Sequence, residues 1–142
     1  MGLDIGDIRI GVALSDPLGI LATPLKIITR KDGETGIGDI VDIVRENGVG
    51  RIIVGLPISM DGTIGKQAVK VKAYARELSA CTDVPIEFKD ERLSTVLAKR
   101  IVQDVRKTNR DTRYDAAAAA LILQGYLDDE GMAERDEPGE EP

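Results

Sequence analysis

The sequence predicts an α/β fold, a five-stranded mixed sheet with helices on both faces. Residues 1–29 read as three short strands separated by turns, an antiparallel meander. From Ile37 on, helical and strand periodicities alternate, as they do around two further strands lying parallel in one sheet. The chain has 142 residues, enough for one domain with a single sizeable core. Aromatics supply only 3%, so Ile, Val, Leu and Ala must build that core.

Each element has its own signal. A tight turn around Gly6-Asp7 separates the first two strands. In the second, Ile10, Val12 and Leu14 alternate with Arg9, Gly11 and Ala13, the period of a strand with one face buried. Asp16-Pro17 and Gly19 mark the next turn, and a third strand follows over 21–29. Ile37, Ile40, Val41 and Val44 fall at helical spacing, and Asn47-Gly48 supplies a stop. Ile52-Ile53-Val54 is a short apolar run of the kind buried in parallel strands. A loop over 56–64 leads to a helix over 65–80, and a strand over 84–89 comes next. Ser94 or Thr95 caps a further helix with Val96, Leu97, Ile101 and Val105 inward, and a last helix covers 112–127. The first strand is expected to be central. Residues 1–127 form the domain, and 128–142 read as an acidic, disordered tail.

Composition excludes several chemistries. There is no histidine, which removes Ser–His–Asp triads, Cys–His pairs and histidine-ligated metals. The single Cys81 allows no internal disulfide. No signal peptide or membrane-length apolar run is found, so a cytoplasmic location without membrane association is expected. The net charge of −6 is concentrated in the tail, whose eight acids face Arg135 alone. Residues 66–113 carry twelve Lys/Arg against seven Asp/Glu, a balance that permits phosphate binding.

Three carboxylates stand out, each with a plain reading beside the functional one. Asp4 lies in an apolar strand, where a carboxylate is costly unless paired, metal-bound or at the exposed end. Alternatively it closes the strand and stabilises the Gly6 turn. Asp90-Glu91-Arg92 follows a predicted parallel strand, at the end where α/β sheets place ligands; surface carboxylates beside arginine are also common. Asp115 lies in the first turn of the last helix, a position favoured by the helix dipole in any protein. The run Ala116–Ala120 lets that helix approach the sheet closely, and Asp115 with it. Converging carboxylates suit Mg²⁺ or Mn²⁺, which take oxygen ligands, and two such ions support phosphodiester cleavage. The stretch Met60-Asp61-Gly62-Thr63-Ile64-Gly65-Lys66 is no Walker A motif, yet it puts Lys66 at a helix N-terminus suited to anions.

Taken together, these motifs resemble the YqgF/RuvX family. The resemblance rests on Leu3-Asp4-Ile5-Gly6, Arg9-Ile10-Gly11-Val12-Ala13 and Ser15-Asp16-Pro17, then Val54-Gly55-Leu56-Pro57 with Met60-Asp61-Gly62-Thr63. It continues through Asp90-Glu91-Arg92-Leu93-Ser94-Thr95 and Asp115 with Ala118-Ala119, Ile122-Leu123 and Tyr126-Leu127, covering residues 2–127. It implies an RNase H-like fold and a metal-dependent endonuclease using Mg²⁺ or Mn²⁺, acting on pre-16S rRNA at its 5′ end in ribosome biogenesis. Asp4, Glu91 and Asp115 would be the catalytic, metal-binding acids. Arg9, Lys66 and Arg92 are candidate phosphate contacts, on chemistry more than on family knowledge.

The chain departs from the family pattern in two places. Asp7-Ile8 stands where members usually carry a polar-basic pair, which removes a cation near the site and is expected to weaken substrate binding. The acidic tail lies beyond the family's usual end. Two further readings remain open: a Holliday junction resolvase acting on DNA, and a ribosome-assembly or nucleic-acid-binding factor with little catalysis. Phosphoryl transfer from ATP is set aside, because the fold that opens with a similar Asp-x-Gly hairpin needs two domains. A homodimer would be in keeping with RNase H-like resolvases, but no surface stripe commits to an interface.

Overall fold

Leu3, Ile5, Ile10 and Val12 give the first two strands a common apolar face, and β1 (Gly2–Ile5) pairs antiparallel with β2 (Arg9–Ser15) along it. β3 (Ala22–Thr29) continues the meander on β2. β4 (Ile52–Leu56) joins the other side of β1 in parallel, and β5 (Ile86–Asp90) adds parallel to β4. The order is β3-β2-β1-β4-β5, with β1 central as the sequence predicts. The computed structural model describes residues 1–31, 33–57, 65–90 and 115–136, with side chains of the last helix over 116–130. The helix expected after Ser94 and most of the 56–64 loop lie outside those residues.

Helices cover both faces. α1 (Ile37–Asn47) ends at Gly48, whose left-handed conformation matches the predicted stop. With α2 (Lys66–Ser79) it builds the larger core, where Ile40, Val71 and Leu78 pack on Leu3, Ile10, Val12 and Val54. α3 (Asp115–Asp136) covers the other face with a smaller cluster of Ala13, Ile53, Ala119, Ile122 and Leu123. No described helix is long and apolar enough to cross a membrane.

Three local details differ from expectation. Gly11 and Ala13 are buried, so β2 is covered on both faces; small residues that read as an open face lie under α3 instead. β5 starts at Ile86 rather than Val84. Pro85 has no N–H for a ladder, and its carbonyl accepts from Ile52 N–H at 2.9 Å as the pairing begins. α3 runs to Asp136, past the expected end at Leu127, so the segment expected to be disordered begins as helix. Gln124 donates to Asp128 one turn on, Asp129 pairs with Lys89, and Glu, Met, Ala and Arg are good helix formers.

The depth of α3 is set at Gly2. A Cβ there would lie 2.7 Å from the Ala119 carbonyl oxygen and 2.7 Å from Leu123 Cβ, so strand and helix meet through glycine. Gly2→Ala must push α3 off the sheet. A loss of about 1–3 kcal/mol of stability is expected from such overpacking, and denaturant unfolding measures it; an unchanged midpoint would refute the close contact.

Candidate functional site

Strand alternation decides which residues share a face with Asp4. Leu3 and Ile5 point into the larger core, so Gly2 and Asp4 point towards α3. Asp4 is half-buried. It stands opposite Gly11 of β2, and the parallel register Gly2–Ile53 and Leu3–Val54, continued by one residue, sets it level with Gly55 of β4. Its two flanking positions therefore carry no side chain. Neighbouring strands lie about 4.8 Å apart, so the carboxylate stands on the α3 face with a buried glycine on the strand to either side. A half-buried carboxylate oxygen on that face is the kind of donor a hard divalent cation takes.

α3 brings its first residue to the same end of the sheet. Ala119 and Leu123 lie against Gly2, while Tyr126 and Leu127 lie beside Met1 and Ile53, so α3 runs antiparallel to β1. From Ala119 back to Asp115 is about 6 Å of helix, and from Gly2 on to Asp4 is about 6.6 Å of strand. The backbone of Asp115 thus heads α3 at the level of Asp4, where the helix dipole is positive. The structure describes nothing of the Asp115 side chain, and Glu91 and Arg92 lie outside the described residues. Among the described residues, no three His, Cys, Asp or Glu side chains gather to hold a metal.

The remaining candidates separate by face. Asp90 is aligned with Leu56, a core residue, and so lies on the face opposite Asp4. Arg9 begins β2, is exposed, and shares the α3 face through its alternation with Gly11. Lys66 is the first residue of α2, exposed, on the helix that follows β4 from the same sheet end. Asp7, in the β1–β2 turn, lies 3.5 Å from Lys70 of α2. That ion pair brings a cation of α2 to the place where the sequence lacks one.

Sequence reasoning missed Lys89. It pairs with Gly55, level with Asp4 on the α3 face, and its side chain is only 14% exposed. Its stem passes Gly125 and its ammonium pairs with Asp129 of α3. The alternation of β5 carries that signal, but only once the register to β4 is known.

The motif Ser15-Asp16-Pro17 lies at the other end of the sheet. Asp16 Oδ1 accepts from Ile20 N–H at 2.7 Å and Leu21 N–H at 2.9 Å. Those bonds, with Leu21 first, hold its carboxyl below the usual range. A cavity of about 440 Å³ opens beside it, lined by Met1, Leu14, Arg51, Tyr126 and Leu127 among others. Asp16 is thus a turn-former, remote from Asp4.

A family model described as RuvX, Holliday junction resolvase, matches residues 1–129. A protein of Dehalococcoides mccartyi is 50% identical over 125 residues, covering 88% of this chain and 94% of the relative. One of Desulforamulus reducens is 48% identical over 130 residues, covering 90% and 95%. Both carry the name "Putative pre-16S rRNA nuclease". Among solved structures, Thermus thermophilus RuvC in complex with Holliday junction substrate is similar in fold. Its TM-score is 0.57 at 13% identity, over 92% of this chain and 94% of that one.

Proposed function

Because the chain belongs to the RuvX family, we propose that it is a metal-dependent endonuclease hydrolysing phosphodiester bonds in structured nucleic acid, and that its substrate is the 5′ end of pre-16S rRNA. One observation carries the chemical part of this reading. Asp4 is half-buried between Gly11 and Gly55 on the face where α3 begins with Asp115. Asp4, Glu91 and Asp115 are the proposed ligands of Mg²⁺ or Mn²⁺. The donor set is all carboxylate, from a chain without histidine, which suits these cations. Such ions, when bound, help to deprotonate a water and to neutralise the leaving oxygen.

The residues of the chain supply the rest. Asp90, on the opposite face, is not among the proposed ligands. Arg9 and Lys66, at the same sheet end, are proposed to hold substrate phosphates, with Arg92. α2 adds Lys70, Lys72 and Arg76 against the single acid Glu77, a basic surface suited to a polyanion. The names of the relatives favour RNA. The family description and the likeness in fold to RuvC favour a second substrate, a four-way DNA junction.

Cleavage assays on a pre-16S rRNA fragment and a four-way DNA junction, side by side with Mg²⁺ or Mn²⁺, test the proposal. Asp4→Asn is expected to lose more than about 100-fold in rate, beyond the 10–100-fold typical of residues that only support a ligand. Asp90→Asn should stay within a few-fold of wild type. Full activity in Asp4→Asn would sink the assignment. For binding, Arg9→Gln should reduce the slope of log affinity against log salt by about 0.7–0.9, the value for one phosphate contact. An unchanged slope would remove Arg9 from the phosphate contacts.

A further inference from the structure

The turn that joins Asp4 to Arg9 is short, and its two carbonyls turn back on one residue. Gly6 N–H donates to the Arg9 carbonyl at 2.9 Å, and a Cβ on Gly6 would sit 2.7 Å from that same oxygen. The turn is therefore closed without room to spare. Gly6 O accepts from Nη1 of Arg30 at 3.0 Å, and Ile8 O accepts from the backbone N–H of Arg30 at 2.7 Å. Arg30, the residue after β3, thus holds the turn by side chain and main chain together.

The guanidinium is itself held from α2. It lies over the ring of Tyr74, 5.1 Å from the centroid, a favourable cation–π placement. Tyr74 is fixed in turn by its hydroxyl, which donates to the Thr35 carbonyl at 2.7 Å. Burial pushes the phenol up to about 12, so it remains a protonated donor. Among the described residues, Nε of Arg30 is buried with no hydrogen-bond partner. The side chain is thus oriented to reach Gly6 and Tyr74 at the expense of one of its own donors. Asp7 and Lys70 make a second link from turn to helix, but both are well exposed and such pairs contribute little.

We propose that Arg30 is a positioning residue for the reaction. Through Gly6 and Ile8 it fixes the turn between Asp4 and Arg9, and through Tyr74 it ties that turn to α2, the helix headed by Lys66. The proposed metal ligand and two proposed phosphate contacts then move as one body. This rests on the reading of Asp4 as a metal ligand and adds the element that orients it.

The test uses the full chain with Arg30→Met, which removes charge and donor at similar length, and Arg30→Lys, which keeps both but not the planar group. Three readouts are needed: Mn²⁺ affinity with the metal alone, kcat and KM for cleavage, and amide exchange over residues 5–10. Arg30→Met should weaken Mn²⁺ binding by about 10-fold, the lower range for groups that orient a ligand. It should lower kcat more than it raises KM, and speed exchange locally. Arg30→Lys, which cannot reach the Gly6 carbonyl and lie flat on Tyr74 at once, should fall between Arg30→Met and wild type in each readout. A folded Arg30→Met with Mn²⁺ affinity and kcat within two-fold of wild type overturns the proposal, as does a loss that tracks global melting alone. If Arg30→Met does not fold, Arg30→Lys is compared with wild type. Weaker Mn²⁺ binding with faster exchange at the turn supports the proposal, and wild-type values in both overturn it. A wild-type protein that neither binds Mn²⁺ nor cleaves defeats the metal reading, and with it this role of Arg30, even if exchange at the turn still responds to the variants.

Discussion

Gly2 and Ala119 meet with no room for a methyl group between strand and helix, and that contact sets how the α3 layer lies on the sheet. A larger residue at either position would lift α3 and move Asp115 with it. The approach also leaves Asp4 half-buried under a helix end rather than on an open surface. Partial burial lowers the effective dielectric around a carboxylate and strengthens its interaction with any cation beside it. The same burial would be costly for a carboxylate without partners. The geometry that half-buries Asp4 would therefore also strengthen its hold on the cation proposed to bind there.

The two faces of the sheet divide the work. On one, Leu3, Ile10, Val12, Ile40, Ile52 and Leu78 are fully buried, each contributing about 1.5–3 kcal/mol by burial. On the other, Gly2, Gly11, Ala13 and Ala119 give closeness in place of bulk. A thin apolar layer holds a helix less firmly, and polar contacts at its margins make up the difference. Gln124 accepts from Ala22 N–H and donates to the Ile20 carbonyl, both at 2.9 Å, fastening α3 beside β3. Lys89 and Asp129 fasten it at β5, and Arg51 donates to the Tyr126 hydroxyl near the start of β4. The helix is thus fixed along its length while its first turn remains beside Asp4.

Much of this was legible in the chain. The alternation in 9–14, the apolar run at 52–54 and the stop at Asn47-Gly48 each specify an element through backbone geometry that depends on few neighbours. The order of elements then places β1 at the centre. What escaped notice depended on contacts between distant segments. Gly11 and Ala13 read as an exposed face because small residues give no hydrophobic signal, although α3 buries them. Lys89 reads as one more strand-end cation until its register with Gly55 sets it level with Asp4. Arg30 reads as a charge after a strand, since its partners Gly6 and Tyr74 lie 24 residues before and 44 after it. The acids separate in the same way. Asp4 reads as a carboxylate within a strand and Asp90 as one just after a strand, and only the pairing assigns them to opposite faces.

The turn at Asp7-Ile8 shows how this chain places positive charge near its candidate site. Resembling sequences usually carry a polar-basic pair there, and this chain carries an acid and an exposed isoleucine. Among the described residues, Arg30 and Lys70 approach the turn from elsewhere, and their surroundings differ. Arg30 is stacked on Tyr74 and bonded to Gly6, so drawing it to a phosphate would cost both contacts. Lys70 is well exposed and pairs with Asp7 at 3.5 Å, an interaction worth no more than about 1 kcal/mol. A phosphate with stronger charge can compete for Lys70 at that small cost, whereas Arg30 stays with the backbone. One end of the sheet thereby carries one cation held by backbone and ring beside another in a weak surface pair, and α2 brings positive charge to a turn that has none of its own.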